Sequence, residues 1–158
     1  MKQIRFYSDK EYDMLIEQCK VLVVDDMGTM RRVVINFLNI LGFKNIVEAA
    51  NGILAWEKVE AEGGKFDLII CDWNMPEATG IDLLKKVRTK EETKKLPFIL
   101  LTVEADKHNV EEAIKFQVNG YIMKPVNFEM FSKKLLDVFK RLDPELHKDI
   151  MTAVTKVK

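Results

Sequence analysis

Five short apolar runs divide the chain into predicted strands that are separated by segments of helical periodicity. They are VLVV at 21–24, NIVEA at 45–49, FDLII at 66–70, FILLT at 98–102 and GYIM at 120–123. Their length and their β-branched residues are typical of buried strands. After each run, apolar residues recur at intervals of three and four, which predicts a helix. The clearest helical stripe runs from Met30 to Leu41 and ends before Gly42, a residue type that favours helix C-termini.

The alternation of strand and helix determines the expected fold class. The other four helical stripes lie at 53–59, 81–87, 110–116 and 128–142. Five successive strand–helix units predict an α/β domain with a parallel sheet that is covered by helices on both faces. Right-handed crossover connections leave few topologies for such a sheet.

Both ends of the chain exceed these five units. Ser8 and Glu11 have the spacing of a capping box for a short N-terminal helix. Asp143 is expected to cap a C-terminal helix with Pro144 at its first position. Apolar residues would then share one face of that helix, namely Leu146, Ile150, Val154 and Val157. The predicted parts are an N-terminal helical extension at 1–19, a central domain at 20–141 and a C-terminal helical extension at 142–158.

Composition and charge narrow the functional classes. Lysine plus arginine and aspartate plus glutamate both number 25 in 158 residues, so we expect no nucleic-acid partner. Cys19 and Cys71 are far apart and form no metal-type or redox motif, which favours a reduced intracellular protein. No apolar run approaches the roughly 18 residues of a membrane helix, and the N-terminus lacks a hydrophobic signal region. We therefore expect a cytoplasmic protein with no membrane association.

Acidic residues stand where two of the predicted strands end. Asp25 and Asp26 follow strand one, and Asp72 follows strand three. These strands are neighbours in a flavodoxin-like sheet, so the carboxylates would meet at the edge where ligands bind. Two carboxylates about 4 Å apart repel each other by about 4 kcal/mol at an effective dielectric constant of about 20. A cation should therefore lie among them, and an all-oxygen set of ligands suits Mg²⁺.

A hydroxyl and an ammonium group complete the candidate site. Thr102 ends strand four, and Lys124 and Pro125 follow strand five. Taken singly, each of these polar residues has an ordinary interpretation as a cap, a turn or a strand residue. Together with the carboxylates, they suit phosphoryl transfer to a carboxylate, with Asp72 as the nucleophile.

Four motifs together resemble the receiver domain of two-component response regulators, and more narrowly the CheY-type chemotaxis receivers. They are VLVVDDMGTMRR, DLIICDWNMPEATG, LLTVEA and GYIMKP, within residues 20–141. The resemblance implies a doubly wound sheet in the order 2-1-3-4-5, which is known for CheY. It also implies that Asp72 is the phosphoacceptor. Mg²⁺ would be bound by Asp26, Asp72 and the backbone carbonyl of Asn74, and by Asp25 mainly through water.

The same resemblance implies a switch and an output surface. Lys124, with a cis bond to Pro125, would pair with the phosphoryl group, while Thr102 moves toward that group and Tyr121 rotates inward. Asn74 and Glu104 occupy positions that influence the rate at which the phosphoryl group is lost. The residues that match partner-contacting positions are Lys107, Val110, Ile114, Tyr121 and Lys134.

The implied function is that of a single-domain signalling switch and not of an enzyme that acts on other substrates. A chemotaxis histidine kinase would supply the phosphoryl group, a flagellar motor switch protein would bind the phosphorylated form, and a phosphatase would reset it. An alternative is a phosphorelay intermediate or a regulator of another protein target. A binding module that takes no phosphate is a further alternative. A phosphatase of the haloacid dehalogenase type would instead need its nucleophile on strand one.

Two departures from the family pattern carry expectations of their own. Val103 stands where a small residue is common, so its branched side chain should narrow access to Asp72. The terminal extensions have no counterpart in the minimal family. We expect them to pack on the domain and either to mediate self-association or to modify partner binding.

Overall fold

A five-stranded, all-parallel sheet forms the centre of the computed structural model, which describes residues 15–103 and 106–157. The strands are β1 (Lys20–Val24), β2 (Asn45–Ala49), β3 (Leu68–Asp72), β4 (Phe98–Thr102) and β5 (Gly120–Met123). Their order is β2-β1-β3-β4-β5, so the predicted fold class and strand order are confirmed. Strand β3 begins two residues later than predicted and includes Asp72.

Six helices surround this sheet within the described residues. They are α1 (Gly28–Ile40), α2 (Gly52–Ala61), α3 (Gly80–Thr89), α4 (Lys107–Lys115), α5 (Phe128–Leu142) and α6 (Pro144–Val157). Residues 15–18 are also helical, but the capping box predicted at Ser8 and Glu11 lies outside the described residues. In the part of the chain that the structure describes, no helix has the length and apolar character needed to cross a bilayer.

Alternating strand residues pack into two separate halves of the core, one on each face of the sheet. Leu22 and Val24 of β1 pack with α2 and α3, whereas Val21 and Val23 pack with α1, α5 and α6. Side chains of successive strand residues point to opposite faces, so a strand buried on both faces must be apolar throughout. This requirement explains why the acidic residue Asp72 is the last residue of β3 and lies at the carboxyl-terminal edge of the sheet.

The C-terminal helix α6 belongs to the same core. The carboxylate of Asp143 accepts a hydrogen bond from the backbone N–H of Leu146 at 3.1 Å, so the predicted cap is confirmed. Leu146 and Ile150 are buried in the half of the core that contains α1 and α5. Leu146 also lines a cavity of about 380 Å³ with Phe66 and Pro97, which precede β3 and β4. Helix α6 therefore lies at the amino-terminal edge of the sheet, away from Asp72.

Helix α6 should contribute to the stability of the whole domain. Ile150→Ala removes a side chain that is 0% exposed, so the free energy of unfolding should fall by about 2–5 kcal/mol. Met151→Ala is the matched control, because Met151 is 48% exposed, and it should change that free energy by less than about 0.5 kcal/mol. Urea unfolding of the full chain measures both values. Equal midpoints for the two variants would show that α6 is not part of the core.

Candidate functional site

Three carboxylates meet at the carboxyl-terminal edge of the sheet. Asp25 follows β1 and Asp72 ends β3, and their exposed fractions are only 2% and 5%. Asp26 is exposed. One carboxylate oxygen from each of the three residues lies within 4.8 Å of the others. The structure therefore brings together the acids that the sequence placed at neighbouring strand ends.

Lys124 connects the two buried carboxylates. Its Nζ lies 3.1 Å from Oδ2 of Asp25 and 3.0 Å from Oδ1 of Asp72. Its backbone N–H donates to the carbonyl oxygen of Thr102 at 2.7 Å, and the Lys124–Pro125 bond is cis, as predicted. The lysine therefore joins the ends of β1, β3 and β4 from its place directly after β5.

The charges of the site affect one another strongly. Burial raises the pKa of the Asp72 carboxyl, the hydrogen bond from Lys124 lowers it, and the charges of Asp25 and Asp26 raise it further. The net direction is upward, so the ionised form of Asp72 is disfavoured. Burial alone would lower the pKa of Lys124, but its hydrogen bond to Asp72 and the charges of Asp25 and Asp72 raise it overall. The ammonium group therefore stays charged.

The donor set suits a hard divalent cation. Once all three acids are ionised, three carboxylates and one ammonium group would leave two negative charges uncompensated. Carboxylate oxygens are preferred ligands of Mg²⁺. Burial, and then the charges of Asp72 and Asp25, raise the pKa of the Cys71 thiol well above its ordinary value. That thiol instead donates to the backbone carbonyl of Asp72 at 3.2 Å, so it stays protonated and does not offer a thiolate for zinc.

The two oxygens of the Asp72 carboxylate have different surroundings. Oδ1 is paired with Lys124 at 3.0 Å. Within residues 15–103 and 106–157, no side chain or backbone N–H donates a hydrogen bond to the other oxygen. One oxygen is thus held by the lysine, whereas no described residue holds the second in this way.

The loop after β3 folds back tightly on Asp72. The N–H of Trp73 donates to the carbonyl of Leu101 at 2.8 Å, and the N–H of Gly80 donates to the carbonyl of Trp73 at 2.9 Å. A Cβ atom on Gly80 would collide with the carbonyl oxygen of Asp72. Asn74 is exposed within this loop, two residues after Asp72. Its role as a carbonyl ligand stays a prediction.

The predicted switch residues lie on the two neighbouring strands. Thr102 is buried at the end of β4, and Val103 after it is exposed. Glu104 lies outside the described residues. Tyr121 of β5 is half-buried, and its ring packs edge-on against the ring of Trp73 at 6.2 Å between centroids. Sequence reasoning missed this contact, which links the predicted switch tyrosine to the neighbour of Asp72.

The five predicted partner-contacting residues fall on three adjacent elements, α4, β5 and α5. Lys107 begins α4, and Ile114, near its end, is 64% exposed. Lys134 of α5 lies across β5, because a Cβ atom on Gly120 would be 3.2 Å from its Cδ atom. Val110 and Tyr121 are half-buried. The structure groups these residues, and their contact with a partner stays a prediction.

Sequence analysis assigned no role to Arg31, whose guanidinium lies beside the acidic site. Its Nη1 donates to the backbone carbonyl of Asp25 at 2.7 Å. The sequence signal for it is an arginine directly after the first turn of a helix whose first turn has no acidic residue.

Comparison with known proteins identifies relatives of the whole central domain. The response regulator receiver domain model matches residues 21–136. Chemotaxis protein CheY-3 of Vibrio cholerae is 45% identical over 129 residues, which are 82% of this chain and 98% of that protein. Chemotaxis protein CheY of Pseudomonas aeruginosa is 43% identical over 124 residues, 78% and 98% of the two chains. The solved structure of Vibrio cholerae CheY4 gives a TM-score of 0.70 at 35% identity and covers 76% and 98% of the two chains.

The close approach at Gly80 yields a prediction for the loop after β3. In Gly80→Ala, the added methyl group would meet the carbonyl oxygen of Asp72, a backbone atom that cannot rotate away. The free energy of unfolding should fall by about 1–3 kcal/mol. Gly28→Ala is the control, because a Cβ atom there meets its nearest atom at an ordinary 3.7 Å. Urea unfolding measures both variants, and a Gly80→Ala midpoint as high as that of Gly28→Ala would contradict the prediction.

Proposed function

The chain belongs to the response regulator receiver domain family, and on that premise we propose that it is a chemotaxis response regulator that is phosphorylated on Asp72. The observation that carries the proposal is the position of Lys124 between Asp25 and Asp72. The ammonium holds one oxygen of Asp72, and the second oxygen is available for bond formation. An aspartyl nucleophile, a lysine and a carboxylate cluster are the parts that phosphoryl transfer requires.

In the proposed reaction, the available oxygen of Asp72 attacks the phosphorus of a phosphohistidine on the kinase. A P–O bond forms while the P–N bond breaks, and the electron pair leaves with the imidazole nitrogen. Asp25, Asp26 and Asp72, with the carbonyl of Asn74, would hold Mg²⁺, which would neutralise charge on the phosphoryl oxygens. The ammonium of Lys124 is close enough to Asp72 to pair with a phosphoryl oxygen once the carboxylate has become an acyl phosphate.

The proposed output follows from the contacts of the neighbouring strands. The hydroxyl of Thr102, at the end of β4, would move to bond the phosphoryl group. Tyr121 already packs against Trp73, so a shift in the loop beside Asp72 would change the position of its ring. The surface formed by α4, β5 and α5 would then bind a flagellar motor switch protein with altered affinity. A chemotaxis histidine kinase and a phosphatase are the other proposed partners.

A fluorescence experiment tests phosphorylation directly. The background is Trp56→Phe, which leaves Trp73, beside Asp72, as the reporter. Mg²⁺ should change the emission, and acetyl phosphate should then produce a second change, because transfer to Asp72 releases acetate and alters the charge next to the indole ring. Asp72→Asn should abolish the second change, and Asp137→Asn, an exposed site on α5, should keep it. A donor response that persists in Asp72→Asn would contradict the assignment.

A binding experiment tests the proposed output surface. Ile114→Ala removes an exposed side chain, so it should weaken binding of the phosphorylated chain to a motor switch protein by about tenfold and leave the melting temperature unchanged. Ile53→Ala is the control, since Ile53 is an exposed isoleucine on α2. Equal affinities for the two variants would refute the assignment of this surface. Phosphoryl transfer to a histidine phosphotransfer domain, without motor switch binding, would instead support a phosphorelay intermediate.

A further inference from the structure

The N-terminus of α1 differs from those of the next four helices. The side chains of Asn51, Thr79, Asp106 and Asn127 each accept a backbone hydrogen bond at the start of α2, α3, α4 and α5. At the start of α1, the cap position is held by Met27, which offers no side-chain oxygen. The first turn, which the structure describes in full, contains no acidic residue and is followed at once by the cation of Arg31. A cation is unfavourable at the positive end of a helix dipole.

Hydrogen bonds at the acidic site explain why Arg31 occupies a position that is unfavourable for a cation. Nη1 of Arg31 donates to the backbone carbonyl of Asp25 at 2.7 Å. Nε donates to the carboxylate of Glu48 on β2 at 3.1 Å. Nη2 lies 3.7 Å from the point where a Cβ atom on Gly28 would be. The guanidinium group therefore reaches back over the loop between β1 and α1 and ties it to β2.

This loop carries two of the three carboxylates. The backbone N–H of Asp25 donates to the carbonyl of Ala49 on β2 at 3.2 Å, so Arg31 holds the other side of the same residue. The carboxylate of Asp25 accepts from the N–H of Met27 at 2.9 Å and pairs with Lys124. Asp26 follows directly in the chain. The direction in which both side chains point thus depends on the backbone that the guanidinium fixes.

We propose that Arg31 is a positioning residue that holds the β1–α1 loop so that Asp25 and Asp26 face Asp72, and that Glu48 orients its guanidinium group. Arg31 donates to the backbone of a cation-binding residue, and it acts through that residue and not on the phosphoryl group. The proposal rests on the function proposed above in one respect, namely that the carboxylates bind a divalent cation.

The charge of Arg31 and its proposed positioning role predict opposite changes in Mg²⁺ affinity when Arg31 is removed. A positive group beside a cation site repels the cation, so its charge alone would make Mg²⁺ binding weaker in the wild type than in a neutral variant. A positioning role predicts the reverse, because a loosened loop must be ordered again when the cation binds. Partners that orient metal ligands typically contribute about 10- to 100-fold to metal affinity.

The first measurement is calorimetric titration of the full chain with Mg²⁺ alone. We expect Arg31→Ala to weaken binding by at least about tenfold. Arg31→Lys should also weaken binding, because an ammonium group keeps the charge but cannot span Asp25 and Glu48 as the planar fork does. Arg32→Ala is the matched control, an exposed neighbour on the same helix that removes the same charge without loss of affinity. Unchanged or tighter binding in Arg31→Ala, or full affinity in Arg31→Lys, would overturn the proposal.

A second measurement is independent of any metal. Hydrogen exchange of the Met27 amide, followed by NMR without Mg²⁺, reports the bond between that amide and the Asp25 carboxylate. We expect this amide to exchange faster in Arg31→Ala than in Arg32→Ala, while the Gly80 amide, bonded to Trp73, keeps its rate. Equal acceleration of both amides would reveal a general loss of stability and would overturn the positioning role. If the wild-type chain binds no Mg²⁺, the proposed function fails, but the exchange rate of the Met27 amide still tests whether Arg31 holds the β1–α1 loop.

Discussion

A single ammonium group between two buried carboxylates constrains the carboxyl-terminal edge of the sheet. Lys124 Nζ lies 3.1 Å from Asp25 and 3.0 Å from Asp72, although the three residues are far apart in the sequence. These distances require β1 and β3 to end at the same height in the sheet, and they require the side chain of Lys124, which follows β5, to reach across β4. The hydrogen bond from the backbone N–H of Lys124 to the carbonyl oxygen of Thr102 fixes the position of the lysine. A buried charge without its partner is costly, so the fold and the site depend on the same contact.

Much of this edge could be predicted from the sequence because its pattern leaves few choices. A strand that is buried on both faces is apolar throughout, so a polar residue directly after such a run must lie at the edge of the sheet. The sequence pattern therefore predicts Asp25, Asp72, Thr102 and Lys124 at this edge. It misplaced the start of β3 by two residues for an identifiable reason. The Asp67 carboxylate accepts from the N–H of Lys20 at 2.8 Å, so Asp67 precedes the strand and bonds to the start of β1.

Contacts that long side chains make between separate elements could not be predicted from the sequence. Arg31 reaches Glu48, which is 17 residues away, and the ring of Tyr121 reaches Trp73 in the loop after β3. Periodicity identifies the apolar face of a helix but does not say which of its residues stay uncovered. Ile53 and Ile114 both belong to helical stripes, yet both are exposed, because smaller neighbours such as Ala55 and Ala113 make the buried contacts. The identity of the site was therefore predictable, but the side chains that support it were not.

Helix α5 connects the acidic edge of the sheet with the C-terminal helix. It begins shortly after Lys124, and its buried face packs on the half of the core that contains Leu146 and Ile150 of α6. Ile16, from the N-terminal helical residues, joins the same half of the core, so both ends of the described chain pack away from Asp72. For the proposed function the two edges have opposite requirements: the acidic edge would have to admit a cation and a phosphoryl donor, whereas the amino-terminal edge can be covered without cost to that chemistry. The helix added after α5 thus extends the core on the side of the sheet that lies away from the carboxylates.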